Sequence, residues 1–151
     1  MIIEVKSEEE MKQFGARLGA LLHGGEMIEL IGDVGAGKTT LTKGVAAGLE
    51  IDEDVQSPSF TISRVYDGRN SLRLFHYDFY RLQEAGIMHN ELEETLQDPQ
   101  AITLIEWADI ITGVLPIDRL SITIQSPTER SRRLTLVAGG DVSRHLLGAL
   151  V

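Results

Sequence analysis

"IELIGDVGAGKTTL", residues 28–41, decides how the rest of the chain is read. Gly32, Gly37, Lys38 and Thr39 satisfy the G-x-x-x-x-G-K-[ST] spacing of a loop that cradles phosphates. The apolar run "MIELIG" reads as a buried strand running into that loop, and Leu41, Val45 and Leu49 recur every four residues after it, as on a helix. Strand, glycine-rich loop and helix in this order are the context the motif requires. Each residue type has a physical task. Gly32, Gly35 and Gly37 allow backbone angles closed to other residues and bring successive N–H groups against phosphate oxygens. The helix starting near Lys38 turns the positive end of its dipole toward the anion. Lys38 neutralises the β and γ phosphates, and Thr39 offers its hydroxyl to Mg²⁺.

Composition sets the limits around this loop. With 151 residues, 42% apolar and 25% charged, the chain is expected to form one globular domain over 1–151. No apolar run approaches the ~20 residues that a membrane helix needs. The start "MIIEVKSEEE" lacks the basic head and apolar middle of a signal peptide, so a cytoplasmic protein is expected. The chain has no cysteine, which excludes disulfides and thiolate metal sites. Its net charge of −9, from 23 acids against 14 Lys and Arg, suits it poorly to holding nucleic acid directly. That affinity comes largely from cations that displace counterions from phosphates. Any part in nucleic-acid chemistry is therefore expected to run through a partner.

The flanking segments predict an α/β fold. Ser7 with Glu10 forms a capping box, and Met11, Phe14, Leu18, Leu21 and Leu22 make one helical stripe that ends at Gly24-Gly25. "FTISRVY" and "SLRLFHYDF", joined by "DGRN", predict an antiparallel hairpin. "EAGIMHNELEETLQD" is helical or irregular, and "AITLIEW" is a short apolar strand. "RLSITIQ" and "RRLTLVA" predict a second hairpin, and "DVSRHLLGALV" a closing helix. The expected architecture is a three-layer domain like those of phosphate-loop NTPases, with a mixed parallel and antiparallel central sheet.

Magnesium also needs a carboxylate, and two lie late in strands: Glu106 ends "TLIE" and Asp78 lies near the end of "LRLFHYD". Leu72, Leu74, His76 and Asp78 share one face of their strand, while Phe75, Tyr77 and Phe79 share the other. On sequence alone either acid also fits an ordinary solvated strand end. "QSPSFT", residues 56–61, follows the first helix where a nucleotide-responsive loop would lie. There Thr61 could touch Mg²⁺ or the γ-phosphate. The sole tryptophan, Trp107, fits either a core position or an exposed contact. The histidines at 23, 76, 89 and 145 lack metal-ligand spacing and read as ordinary. No N-K-x-D occurs, which favours ATP over GTP, and no L-S-G-G-Q, which argues against a transport ATPase. Arg130, Arg132 and Arg133 cluster in a hairpin loop, not in the arginine-rich lid of a small-molecule kinase. A small-molecule kinase and a nucleotide-sensing module with little hydrolysis are the alternatives to an ATPase.

"GDVGAGKTTL", "QSPSFT", "HYDFYRL" and "LIEW", in this order and spacing, resemble the TsaE family, small bacterial ATPases of tRNA threonylcarbamoyladenosine biosynthesis. Ser59 replaces the middle threonine of the family's S-P-T-[FY]-T and keeps its hydroxyl. The resemblance implies that Gly35, Ala36, Gly37, Lys38, Thr39 and Thr40 hold the ATP phosphates and that Glu106 is the acidic metal ligand beside Thr39. It implies that Asp78 acts at the same centre, through water or by orienting the attacking water, and that Thr61 belongs to a switch-like loop. Trp107 and Thr40 are implied to matter for activity, Arg130 to reach the nucleotide, and Ser7 and Glu8 to border the adenine. The implied cofactors are ATP and Mg²⁺. The implied partners are TsaB and TsaD, with tRNA met only through that complex. In a chain this short, the second substrate would then be another protein's conformation.

Overall fold

The structure is a computed structural model and describes residues 1–56, 58, 62–80, 86–109, 113 and 115–151, with backbone alone at Gly86 and Ile87. Along the chain run β1 (Ile2–Val5), α1 (Glu8–Ala20), β2 (Met27–Ile31), α2 (Lys38–Gly48), β3 (Ser63–Asp67) and β4 (Arg73–Asp78). They continue with α3 (Gly86–Gln97), β5 (Ala101–Glu106), β6 (Leu120–Gln125), β7 (Arg132–Ala138) and α4 (Asp141–Ala149). One sheet holds all seven strands in the order β1-β7-β6-β2-β5-β4-β3. The four middle strands, β6, β2, β5 and β4, are parallel neighbours, and antiparallel pairs flank them on both sides. The mixed sheet is as the sequence predicts, and so are both hairpins. Parallel strands must be covered on both faces, which explains why β5 is buried at every position. Strand β1 escaped the sequence reading. It has four residues, of which Val5 alone is buried, and it exists by pairing with β7.

Helices α1, α2 and α4 cover one face of the sheet, where Phe14, Leu18, Leu41 and Val45 meet Ile28, Leu104, Ile122 and Leu146. Helix α3 covers part of the other, packing Met88 and Leu92 against Met27, Tyr77 and Ile105. There Tyr77 is wholly buried; burial pushes its pKa up, while a hydrogen bond with Thr95 Oγ1 (2.9 Å) works the other way. The α1 stripe is buried as expected, with Leu21 only partly so. Its cap differs in one detail. Ser7 Oγ accepts from Glu10 N at 3.1 Å, but the Glu10 carboxylate accepts from Lys6 N, one residue before the capping residue.

Glycines bring α1 and α2 backbone to backbone. A Cβ at Gly19 would lie 2.2 Å from Val45 O, and one at Gly44 would lie 2.5 Å from Lys12 O. Any side chain there would force the helices apart. This close approach holds the amino end of α1 beside the glycine-rich loop, with Met11 Cε 3.2 Å from where a Cβ on Gly37 would stand.

The amino end of α4 is capped from a distant loop. Asp118 accepts from Val142 N (2.9 Å), Ser143 N (2.9 Å) and Ser143 Oγ (2.6 Å). The Ser143 hydroxyl, before all other causes, holds the Asp118 carboxyl below its ordinary pKa. Its stabilising effect is therefore present above the unfolded-state carboxyl value near ~3.9 and is lost as pH falls through the lower folded value. Asp118→Ala is expected to lower stability by about 0.5–2 kcal/mol at pH 7, as replacing a helix-capping side chain by alanine generally does. In urea denaturation the gap from the parent protein should narrow at pH 3; an equal gap at both values would contradict this account.

Candidate functional site

The parallel register builds the site. Leu30 of β2 and Asp78 of β4 both lie level with Glu106 of β5. The carboxyl ends of three adjacent strands thus come together where the loop from Gly32 to Gly37 leaves β2, the edge at which open α/β sheets bind ligands. A cleft of about 730 Å³ opens there. Gly35, Gly37, Lys38, Thr39 and Thr40 line it together with Asp78 and Glu106, and so do Ser7, Glu8 and Arg130. These residues, singled out from distant parts of the sequence, line one cavity. Ala36 is buried and does not line it; its N–H donates to Asp33 O at 3.0 Å. Thr61 lies outside the described residues, as does most of 56–61.

Gly37 has φ +111° and starts α2 without any side-chain cap. The first-turn N–H groups of α2 have no partner within the helix and carry its positive dipole end toward the cleft. Lys38 is buried, and its ammonium donates to Gly32 O (2.5 Å) and Asp33 O (3.0 Å). The same Nζ stands 4.4 Å from the centre of the Trp107 ring, within range of a cation–π attraction. Trp107 has φ +55°, a conformation that bulky side chains rarely hold. Its ring leans on Tyr80, centroids 4.8 Å apart. Strain of this kind persists where the surroundings impose it, and such positions cluster at functional sites.

Two carboxylates sit differently. Asp78 is half-buried, and its Oδ1 accepts from Tyr80 N at 3.0 Å. Glu106 is 3% exposed, and its Oε2 lies 2.6 Å from Nε2 of the wholly buried His76. In the sequence His76 reads as ordinary; the signal available there is its place on the same strand face as Asp78. Arg132 was likewise only part of a loop cluster. It donates to Ala36 O (2.9 Å) and to the Thr128, Glu129 and Ser131 carbonyls, tying the β6–β7 loop to the glycine-rich loop. Arg133 turns away to pair with Glu4 at 2.8 Å.

Among the described residues no cluster of three or more His, Asp or Glu side chains is built to hold a metal alone. The hard oxygen donors lining the cleft, the Thr39 hydroxyl and the Asp78 and Glu106 carboxylates, nevertheless suit Mg²⁺. That ion takes one or two carboxylates and completes its shell with water and substrate phosphate.

Comparison with known proteins converges on one family. The family described as "Threonylcarbamoyl adenosine biosynthesis protein TsaE" matches residues 5–134. The tRNA threonylcarbamoyladenosine biosynthesis protein TsaE of Bacillus subtilis is 39% identical, over 88% of this chain and 82% of its own. That of Treponema pallidum is 32% identical, over 87% and 96%. The crystal structure of YdiB from Bacillus subtilis superposes with a TM-score of 0.82 at 34% identity, covering 99% of this chain and 93% of its own. No helix among the described residues is long and apolar enough to cross a membrane.

Proposed function

The chain belongs to the TsaE family, and from that premise we propose that it is a Mg²⁺-dependent ATPase acting in tRNA threonylcarbamoyladenosine biosynthesis, where it binds and resets a TsaB–TsaD complex. One observation carries this reading: phosphate loop, lysine, threonine hydroxyl and two carboxylates line a single cleft. That set serves phosphoryl transfer to water with little covalent work by the protein.

Each residue has a part in this proposal. The N–H groups at the start of α2 and along Gly35–Thr40 receive the phosphate oxygens. Lys38 exchanges its two carbonyl acceptors for phosphate oxygens, a stronger charge-assisted contact. Thr39 and Glu106 would hold Mg²⁺, which supplies charge neutralisation on the β and γ phosphates when bound. Asp78 orients water for in-line attack. Trp107, its ring over the Lys38 ammonium, keeps that cation at the site where the phosphates arrive. Ser7, Glu8 and Arg130 form the rim facing the nucleoside, and Thr61 joins the loop that answers the γ-phosphate. The acidic surface fits a protein that reaches tRNA only through its partners.

The test is phosphate release from ATP by the purified protein, alone and with TsaB and TsaD, with product analysis. Slow Mg²⁺-dependent release that rises with the partners is the expected result. A phosphorylated metabolite would identify a small-molecule kinase instead. ATP binding without release, even with the partners present, would identify a nucleotide sensor.

A further inference from the structure

We propose that His76 is a positioning residue that anchors one oxygen of Glu106 and so presents the other to the metal, an inference that rests on Glu106 being a ligand of Mg²⁺. His76 on β4 and Glu106 on β5 lie diagonally across two parallel strands, since His76 is level with Leu104 and Asp78 with Glu106. Both side chains are buried, and Nε2 lies 2.6 Å from Oε2. An ionised carboxylate can only accept, so Nε2 carries the proton and donates it. The other ring nitrogen is Nδ1. It is the one buried side-chain polar atom among the described residues that has no partner.

That bare nitrogen is the telling feature. A histidine serving only to pack the core would leave a polar atom desolvated for nothing, and leucine in its place would avoid the penalty. The imidazole is instead explained by what Nε2 does. With Oε2 tied to the interior of the sheet, rotation of the Glu106 carboxylate is stopped and Oε1 is left for the cleft that Glu106 lines. Partners of this kind orient metal ligands, and removing one typically costs about 10–100-fold in metal affinity or activity.

The experiment titrates Mg²⁺ into the full chain at fixed ATP, following fluorescence of the sole tryptophan, Trp107, with ATP affinity in EDTA as the reference. His76→Leu should raise the Mg²⁺ concentration for half-saturation by about 10–100-fold while leaving affinity in EDTA unchanged. His76→Gln, whose amide nitrogen takes the place of Nε2, should recover most of the loss. His76→Asn, whose amide matches Nδ1, should not. If His76→Leu fails to fold, the Gln and Asn pair decides between the same outcomes. A parental Mg²⁺ response in the Leu and Asn variants would overturn the role of His76 alone. A parent protein whose ATP response ignores Mg²⁺ would instead overturn the assignment of Glu106 as a metal ligand on which this inference rests. Nitrogen-15 spectra should show the His76 ring protonated at Nε2; protonation at Nδ1 alone would make Glu106 the donor and refute the assignment.

Discussion

Replacing Lys38 with methionine is expected to lower ATP cleavage by at least ~10²–10³-fold, the range seen when one preorganised donor is removed from a developing charge. The buried ammonium is already aimed at the loop, held by the Gly32 and Asp33 carbonyls and covered by Trp107. Arriving phosphate oxygens therefore meet a cation that needs little reorganisation. Methionine keeps the length and apolar bulk of the stem and can still pack beneath the indole, so the fold should survive. The loss would fall on charge alone. Single-turnover phosphate release measures the chemical step, and urea denaturation confirms that the variant is folded. A folded Lys38→Met protein that bound and cleaved ATP like its parent would remove the basis of the proposed function.

A second large effect is expected far from the cleft. Arg69, in the turn between β3 and β4, donates to Gly19 O (3.3 Å), Ala20 O (3.1 Å) and Leu22 O (2.8 Å) at the end of α1, and to Gly48 O (2.6 Å) at the end of α2. One guanidinium thus satisfies terminal carbonyls of two helices and places a cation at the negative ends of both dipoles. Arg69→Met should cost about 3 kcal/mol, given ~1.5–3 kcal/mol for hydrogen bonds involving a charged group and partial replacement by water. For a chain of this size that corresponds to a fall in Tm of about 6–12 °C. Arg69→Lys should restore little, because a single ammonium lacks the planar fork that spans both helix ends. Thermal unfolding followed by circular dichroism measures this; a loss below ~1 kcal/mol would mean that water serves these carbonyls equally well.

Local structure is what the sequence makes legible. The glycines, Lys38 and Thr39 are contiguous, and their meaning depends only on the strand before and the helix after. Both hairpins were legible because a turn joins strands that are neighbours in the chain and in the sheet. Asp78 and Glu106 stood out because an acid ending an apolar strand conflicts with its surroundings. The strand β1 failed this test: four residues at an edge, mostly exposed, leave too little alternation to detect.

By itself, then, the amino-acid sequence determined that this chain is an α/β protein with a glycine-rich loop between a strand and a helix, and which residue types attend it. The tertiary structure alone decided that β5 lies between β2 and β4, that His76 meets Glu106, that Lys38 lies beneath a strained Trp107 and that Arg69 closes two helices. The physical reason is that hydrophobic periodicity records which face of a segment is buried but not which segment covers it. His76 and Glu106 stand 30 residues apart, and only the parallel register of their strands brings a ring nitrogen within hydrogen-bonding distance of a carboxylate.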